Sequence, residues 1–189
     1  LRFEHSRQGD WGYFLEFNQI PRFEPYTANT AVTGIGTPNL SVPATSTPGG
    51  PVELKTERQI LGIGVDKVLN GGFDVQVPVR NEVKTGQRIF ARGTTGGAGL
   101  FQFTPEPIDS STQQVEAILG YVTEKLQLSG GYYGSFYNNR NTALNITEVG
   151  GATGLAGFTP IALPPDNEAH QLYLTGGYSF TSTTRSTFK

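Results

Sequence analysis

The chain has 189 residues, 36% of them hydrophobic and 16% charged, with a formal net charge of −2. Both fractions are low for a soluble domain with a two-sided core, and no basic stripe is present, so no nucleic-acid partner is expected. Cysteine is absent, which excludes disulfides, thiolate metal sites and the Cys-x-x-Cys-His attachment of a c-type haem, and no run approaches the ~20 apolar residues of a membrane-spanning helix.

In chain order, the first predicted strand is Trp11-Gly12-Tyr13-Phe14-Leu15-Glu16-Phe17-Asn18, with Trp11, Tyr13, Leu15 and Phe17 opposite Phe14, Glu16 and Asn18. Pro21 is expected to end it, because proline cannot donate to a ladder. From Arg22 to about Glu53 the sequence is rich in Pro, Thr and Gly and reads as a long loop. A second strand runs from about Leu54 to Leu69, Asn70-Gly71-Gly72 gives a hairpin signal, and a third strand follows from Phe73, with Val75, Val77 and Val79 opposite Asp74, Gln76, Arg80, Glu82 and Lys84. Pro78 is out of place in a paired strand unless its missing N–H falls at a bulge.

A second long loop is read over Gly86 to Ser111, and a fourth strand near Gln113 to Thr123. A tight turn at Glu124 leads to a fifth strand ending at Tyr137. A third long loop covers about Asn138 to Asp166, and a sixth strand runs from Asn167 through Phe180. Long alternating strands, rich in aromatics and glycine and joined by alternately short and long connections, are the pattern of an outer-membrane β-barrel. The fold expected is all-β: an antiparallel up-and-down transmembrane barrel, of which residues 1–189 supply about six strands, or three hairpins, with long extracellular loops. About eight strands is the usual minimum for closure, so a larger barrel is implied. The absence of methionine and of a signal peptide before Leu1-Arg2-Phe3 fits an excerpt of a longer chain.

Strand parity sorts the side chains. Leu61, Ile63, Val75, Leu119, Leu128, Tyr132, Leu172, Leu174 and Tyr178 are expected to face lipid. Asp74, Gln76, Arg80, Glu82, Gln127, Tyr133, Tyr137, Gln171 and Tyr173 are expected to face the lumen, where they are candidates for partner contact. The turns near Asn70-Gly71-Gly72 and Glu124-Lys125 are expected on the periplasmic side, with the long loops outside.

Sharper readings of single residues are weak. His5 and His170 are the only histidines, and neither has a ligand set around it, so no metal site is expected. Gly93-Thr94-Thr95-Gly96-Gly97-Ala98-Gly99 lacks the Gly-Lys-Ser/Thr of a phosphate loop and reads as a flexible loop. No nucleophile–base pair is recognisable, and no enzymatic activity is expected.

Four stretches carry a resemblance: Phe17-Asn18-Gln19-Ile20-Pro21 followed by Thr27-Ala28-Asn29-Thr30; Arg80-Asn81-Glu82-Val83-Lys84-Thr85-Gly86; Pro107-Ile108-Asp109 leading into Gly131-Tyr132-Tyr133-Gly134-Ser135-Phe136; and Leu163-Pro164-Pro165-Asp166-Asn167-Glu168-Ala169-His170-Gln171. Together and in this order they resemble the MtrB/PioB family of outer-membrane barrels that accompany multihaem c-type cytochromes. The resemblance implies a bacterial outer-membrane sheath through which a periplasmic decahaem cytochrome passes electrons to or from the cell exterior, with an extracellular multihaem cytochrome as a further partner. Haem would be carried by the partner and none bound by this chain. The family's N-terminal Cys-x-x-Cys has no counterpart here, and the family offers no catalytic residues to carry over. A solute-conducting porin and a secreted β-sandwich adhesin are the alternative readings.

Overall fold

A computed structural model of the protein describes residues 1–25, 27–43, 49–93, 101–149 and 158–189. Its strands, in chain order, begin with β1 (Arg2–Arg7), β2 (Trp11–Phe23), β3 (Ala28–Thr30), β4 (Asn39–Val42) and β5 (Gly50–Val52). Next come β6 (Lys55–Leu69), β7 (Phe73–Arg88), β8 (Ala91–Gly93), β9 (Phe101–Phe103) and β10 (Glu106–Val122). The last are β11 (Leu126–Asn139), β12 (Ala143–Glu148), β13 (Phe158–Ala162), β14 (Asn167–Ser179) and β15 (Arg185–Phe188). No helix occurs among the described residues.

One antiparallel sheet dominates, with eight strands in the order β1-β2-β6-β7-β10-β11-β14-β15. The six expected strands are its long members, and two short strands, β1 and β15, are added at its edges. The expectation of six is corrected to eight. Each register is constant from end to end, so every strand presents alternate residues to the same two faces. The short turns β1–β2, β6–β7, β10–β11 and β14–β15 all lie at one end, and the three long connections lie at the other. Gly71 and Gly72 make the β6–β7 turn with φ of +82° and +85°, values open to glycine at no steric cost.

Both prolines behave differently from expectation. β2 passes through Pro21, which pairs with Glu57 and continues to Phe23. The contact of β1 with β2 ends at Phe17, so beyond that point β2 is an edge and Pro21 leaves no ladder bond unmade on its open side. At Pro78 there is no bulge. Partners on β10 lapse between Val79↔Val115 and Gln76↔Ile118 and resume in the same register. β10 also starts at Glu106 rather than near Gln113, and its pairing with β7 extends to Arg88, which shortens the loop read from Gly86 to Ser111.

The long connections are folded. β12 pairs antiparallel with β13 and parallel with β4, forming a three-stranded sheet, and β3–β5 and β8–β9 form two small hairpin-like pairs. The buried apolar cluster among the described residues sits here, in Val32, Leu40, Val42, Leu144 and Ile146, with Phe90, Ile161 and Leu163 against it. Arg92 of the second connection forms a buried ion pair with Glu148 of the third, and its Nε donates to Gln102 Oε1 at 2.8 Å. The backbone N–H of Val149 donates to Val42 O at 3.0 Å, so all three connections are stitched into one cap. The glycine stretches at 94–99 and 150–154 lie outside the described residues.

Candidate functional site

The eight-stranded sheet has two chemically distinct faces, and the registers assign each residue to one of them. Leu15, Ile63, Val79 and Val115 are opposite one another across four strands and define a row of the first face. Leu61, Ile63, Val75, Leu119, Leu128, Tyr132, Leu172, Leu174 and Tyr178 all fall on this face. It is apolar yet uncovered, with Leu172 82% exposed and Leu61, Ile63, Val65, Leu119 and Leu174 also exposed. An exposed apolar face of this kind is suited to lipid.

The apolar face has limits. The run Leu126–Phe136 on β11 extends ~33 Å at 3.3 Å per residue, or about 25 Å across a membrane at the ~40° tilt of barrel strands, the usual height of the apolar band. Charges on this face sit toward its ends: Lys67, paired with Asp10, at the short turns, and Glu57, Asp109 and Glu168 toward the long connections. Aromatic rings gather beside the short turns, where Trp11 stacks on Tyr13 at 6.0 Å and Phe73 lies 4.4 Å from Tyr121, as in an interfacial girdle. His5 packs against Trp11 at 5.4 Å, and His170 Nδ1 is 2.7 Å from Tyr132 OH. Among the described residues no group of three or more His, Cys, Asp or Glu side chains could hold a metal ion.

Asp74, Gln76, Arg80, Glu82, Gln127, Tyr133, Tyr137, Gln171 and Tyr173 all fall on the opposite face. Side chains that parity alone had not singled out join them, notably Phe14, Glu16, Gln114 and Glu116. They form cross-strand hydrogen bonds: Gln114 Nε2 donates to Tyr133 OH at 2.9 Å, and Tyr173 OH donates to Glu116 Oε1 at 3.0 Å. Arg58 pairs with Glu82 at 3.0 Å, and Arg88 makes two bonds to Glu106, of 2.9 and 2.8 Å. Such ladders hold a polar wall in fixed rotamers.

Glycine keeps that wall low. A Cβ added at Gly64 would lie 2.2 Å from Phe14 Cε1, and one added at Gly131 would lie 2.6 Å from Tyr173 OH. The rings of Phe14 and Tyr173 therefore rest on backbone instead of standing out from it. Tyr173 uses this path to reach Glu116. The result is a polar surface on which these two rings lie along the sheet.

Comparison with known proteins agrees with this geometry. A family profile described as an outer membrane beta-barrel porin, MtrB/PioB, matches residues 1–189. The outer membrane protein MtrB of Shewanella baltica (strain OS185) is 25% identical over 193 aligned residues, covering 95% of this chain and 27% of that protein. The chain thus spans about a quarter of the length of the curated relative it matches. An all-β sheet with a lipid-compatible face and a profile match along its whole length make this chain a member of the MtrB/PioB family of outer-membrane β-barrel porins.

Proposed function

We propose that this chain is a sector of a larger outer-membrane barrel that encloses a multihaem c-type cytochrome and holds it across the membrane for electron transfer, with no chemistry of its own. Nine side chains, Asp74, Gln76, Arg80, Glu82, Gln127, Tyr133, Tyr137, Gln171 and Tyr173, face the lumen and the guest. The apolar set from Leu61 to Tyr178 faces lipid. Haem belongs to the partners, a periplasmic multihaem cytochrome and an extracellular one that exchanges electrons with it.

The observation that carries this reading is the polar wall. A guest with a hydrophilic surface cannot meet hydrocarbon, and a wall of hydrogen-bonding side chains on which the rings of Phe14 and Tyr173 lie flat over Gly64 and Gly131 offers it hydrogen bonds while leaving it room. The sector argument rests on the edges. β1 and β15 end the sheet, and unpaired N–H and C=O groups in hydrocarbon cost several kcal/mol each, so further strands must pair with them. The short turns are assigned to the periplasm and the folded cap to the exterior, following the length asymmetry of outer-membrane barrels.

Liposomes test the proposal. The full-length protein and its cytochrome together should pass electrons to an enclosed dye, and neither should do so alone. A second reading, a solute-conducting porin, draws on Arg80, which has no hydrogen-bond or ion-pair partner among the described residues and is available to small anions. A barrel that conducts small solutes freely and never retains a cytochrome on purification would establish that reading instead. The exposed apolar face speaks against a secreted adhesin.

A further inference from the structure

The polar face is not uniform. Between β2 and β11 it sinks into a recess of about 220 Å³. The depression arises where Gly62 contributes no side chain and the Pro78 ring stays close to the sheet, with Ile60 and Phe14 completing an apolar lining. Glu16, Arg80, Gln114, Glu116 and Tyr133 surround it. An apolar cavity of ~150 Å³ already admits benzene, so the recess has room for one aromatic or large aliphatic side chain.

The charges around it are unequally satisfied. Glu16 accepts from Arg2 at 3.1 Å and also from Asn18, Glu116 accepts from Tyr173 at 3.0 Å, and Gln114 is engaged with Tyr133. Arg80 alone among these has no partner in the described residues. Arg2 neutralises Glu16, while Glu116 is held only by a tyrosine hydroxyl and keeps its charge, so Arg80 is the one cation lining the recess and its guanidinium is unbonded. An anionic guest meets a free fork matched to a carboxylate.

We propose that this recess is an anchoring socket for the protein enclosed by the barrel, taking an apolar, preferably aromatic, side chain of that guest while Arg80 binds a carboxylate beside it. The inference rests on the sheath reading and adds to it a specific point of attachment. An otherwise slippery polar wall gains one desolvated contact that fixes the depth and rotation of the guest, as a buried anchor does in protein interfaces.

Gly62→Leu tests the apolar half. A Cβ at Gly62 would sit 3.4 Å from Glu16 Cβ and 3.7 Å from Phe14 Cε2, ordinary contact distances, and its backbone does not have positive φ, so the strand accepts a Cβ at a position that lines the recess. Arg80→Ala tests the charged half, Arg80→Lys keeps the charge without the fork, and Thr175→Leu alters the same wall outside the recess. Each full-length variant is expressed in cells that make its cytochrome, extracted in detergent and washed with salt, and haem absorbance per barrel is measured alongside heat-modifiable migration.

Gly62→Leu and Arg80→Ala should retain at least tenfold less haem than wild type, Arg80→Lys should lose only a few-fold, and Thr175→Leu should match wild type. Wild-type retention in folded Gly62→Leu and Arg80→Ala overturns the socket and leaves the sheath standing. A wild-type barrel that retains no haem protein overturns the sheath and the socket with it. Arg80→Ala removes only an exposed side chain, so it decides the case if the leucine variant fails to fold.

Discussion

The cap and the sheet of this protein are stable for opposite reasons. In the cap, Leu144 and Ile146 are 0% exposed and the apolar cluster is enclosed by protein, as in a water-soluble domain. In the sheet, one whole face is apolar and lies open, while glycines of the other face such as Gly62 and Gly64 are among the buried positions. On the proposed assignment one chain uses the hydrophobic effect in two solvents: water drives the cap together, and hydrocarbon receives the apolar face of the sheet. A given substitution should therefore have different costs in the two regions.

The largest effect is expected in the cap at its buried ion pair. Glu148→Ala leaves the Arg92 guanidinium buried beside Gln102 without its carboxylate, a loss of about 3–5 kcal/mol. Protease added to intact cells should then cut the long connections of the variant far faster than those of wild type, with the strands untouched. Equal rates would show that the pair does not hold the cap.

Next comes Leu144→Ala. It opens a cavity in an enclosed core and should cost the cap about 2–5 kcal/mol, read by the same cleavage assay. Somewhat smaller is Leu119→Arg at the middle of the apolar face, expected to cost about 2–4 kcal/mol in reversible unfolding from bilayers. Gln76→Arg, on the opposite face, should cost much less. Equal penalties at Leu119 and Gln76 would mean that the faces have been assigned to lipid and lumen wrongly. The smallest effect is Leu119→Ala. Lipid tails can fill the space it vacates, so it should cost well under the cap's Leu144→Ala, by ~1 kcal/mol or more, and a matching loss at the two positions would erase the contrast.

The sheet was legible because its signal is local. Leu126, Leu128, Tyr132 and Phe136 share a parity that can be read along one strand, and Asn70-Gly71-Gly72 marks a turn without reference to anything distant. β1 was legible in principle, since Phe3 and His5 alternate with Arg2, Glu4 and Ser6, but six residues with charge on one side make a faint period. The cap was not legible. Its strands are three to six residues long, too short to show a period, and their pairing is remote: Asn145 Nδ2 donates to Asn39 Oδ1 across 106 residues.

The candidate site divides the same way. Its members could be sorted to a face from parity, but the recess exists only because Gly62 and Arg80 are register partners and Phe14 reaches over Gly64. Neither relation can be seen until the strands are aligned. Pro78, which in the sequence is at odds with a regularly paired strand, becomes part of the recess lining.

The cap also makes the long connections depend on one another. Its core combines Leu40 from the first long connection with Leu144 from the third, and Arg92 of the second closes on Glu148. Each of these contacts joins residues of different connections, so none is complete until the connections it links have been brought together. The cap therefore works as a clasp: it ties the far ends of separate hairpins to one another, and a fault in any one connection loosens its hold on the others.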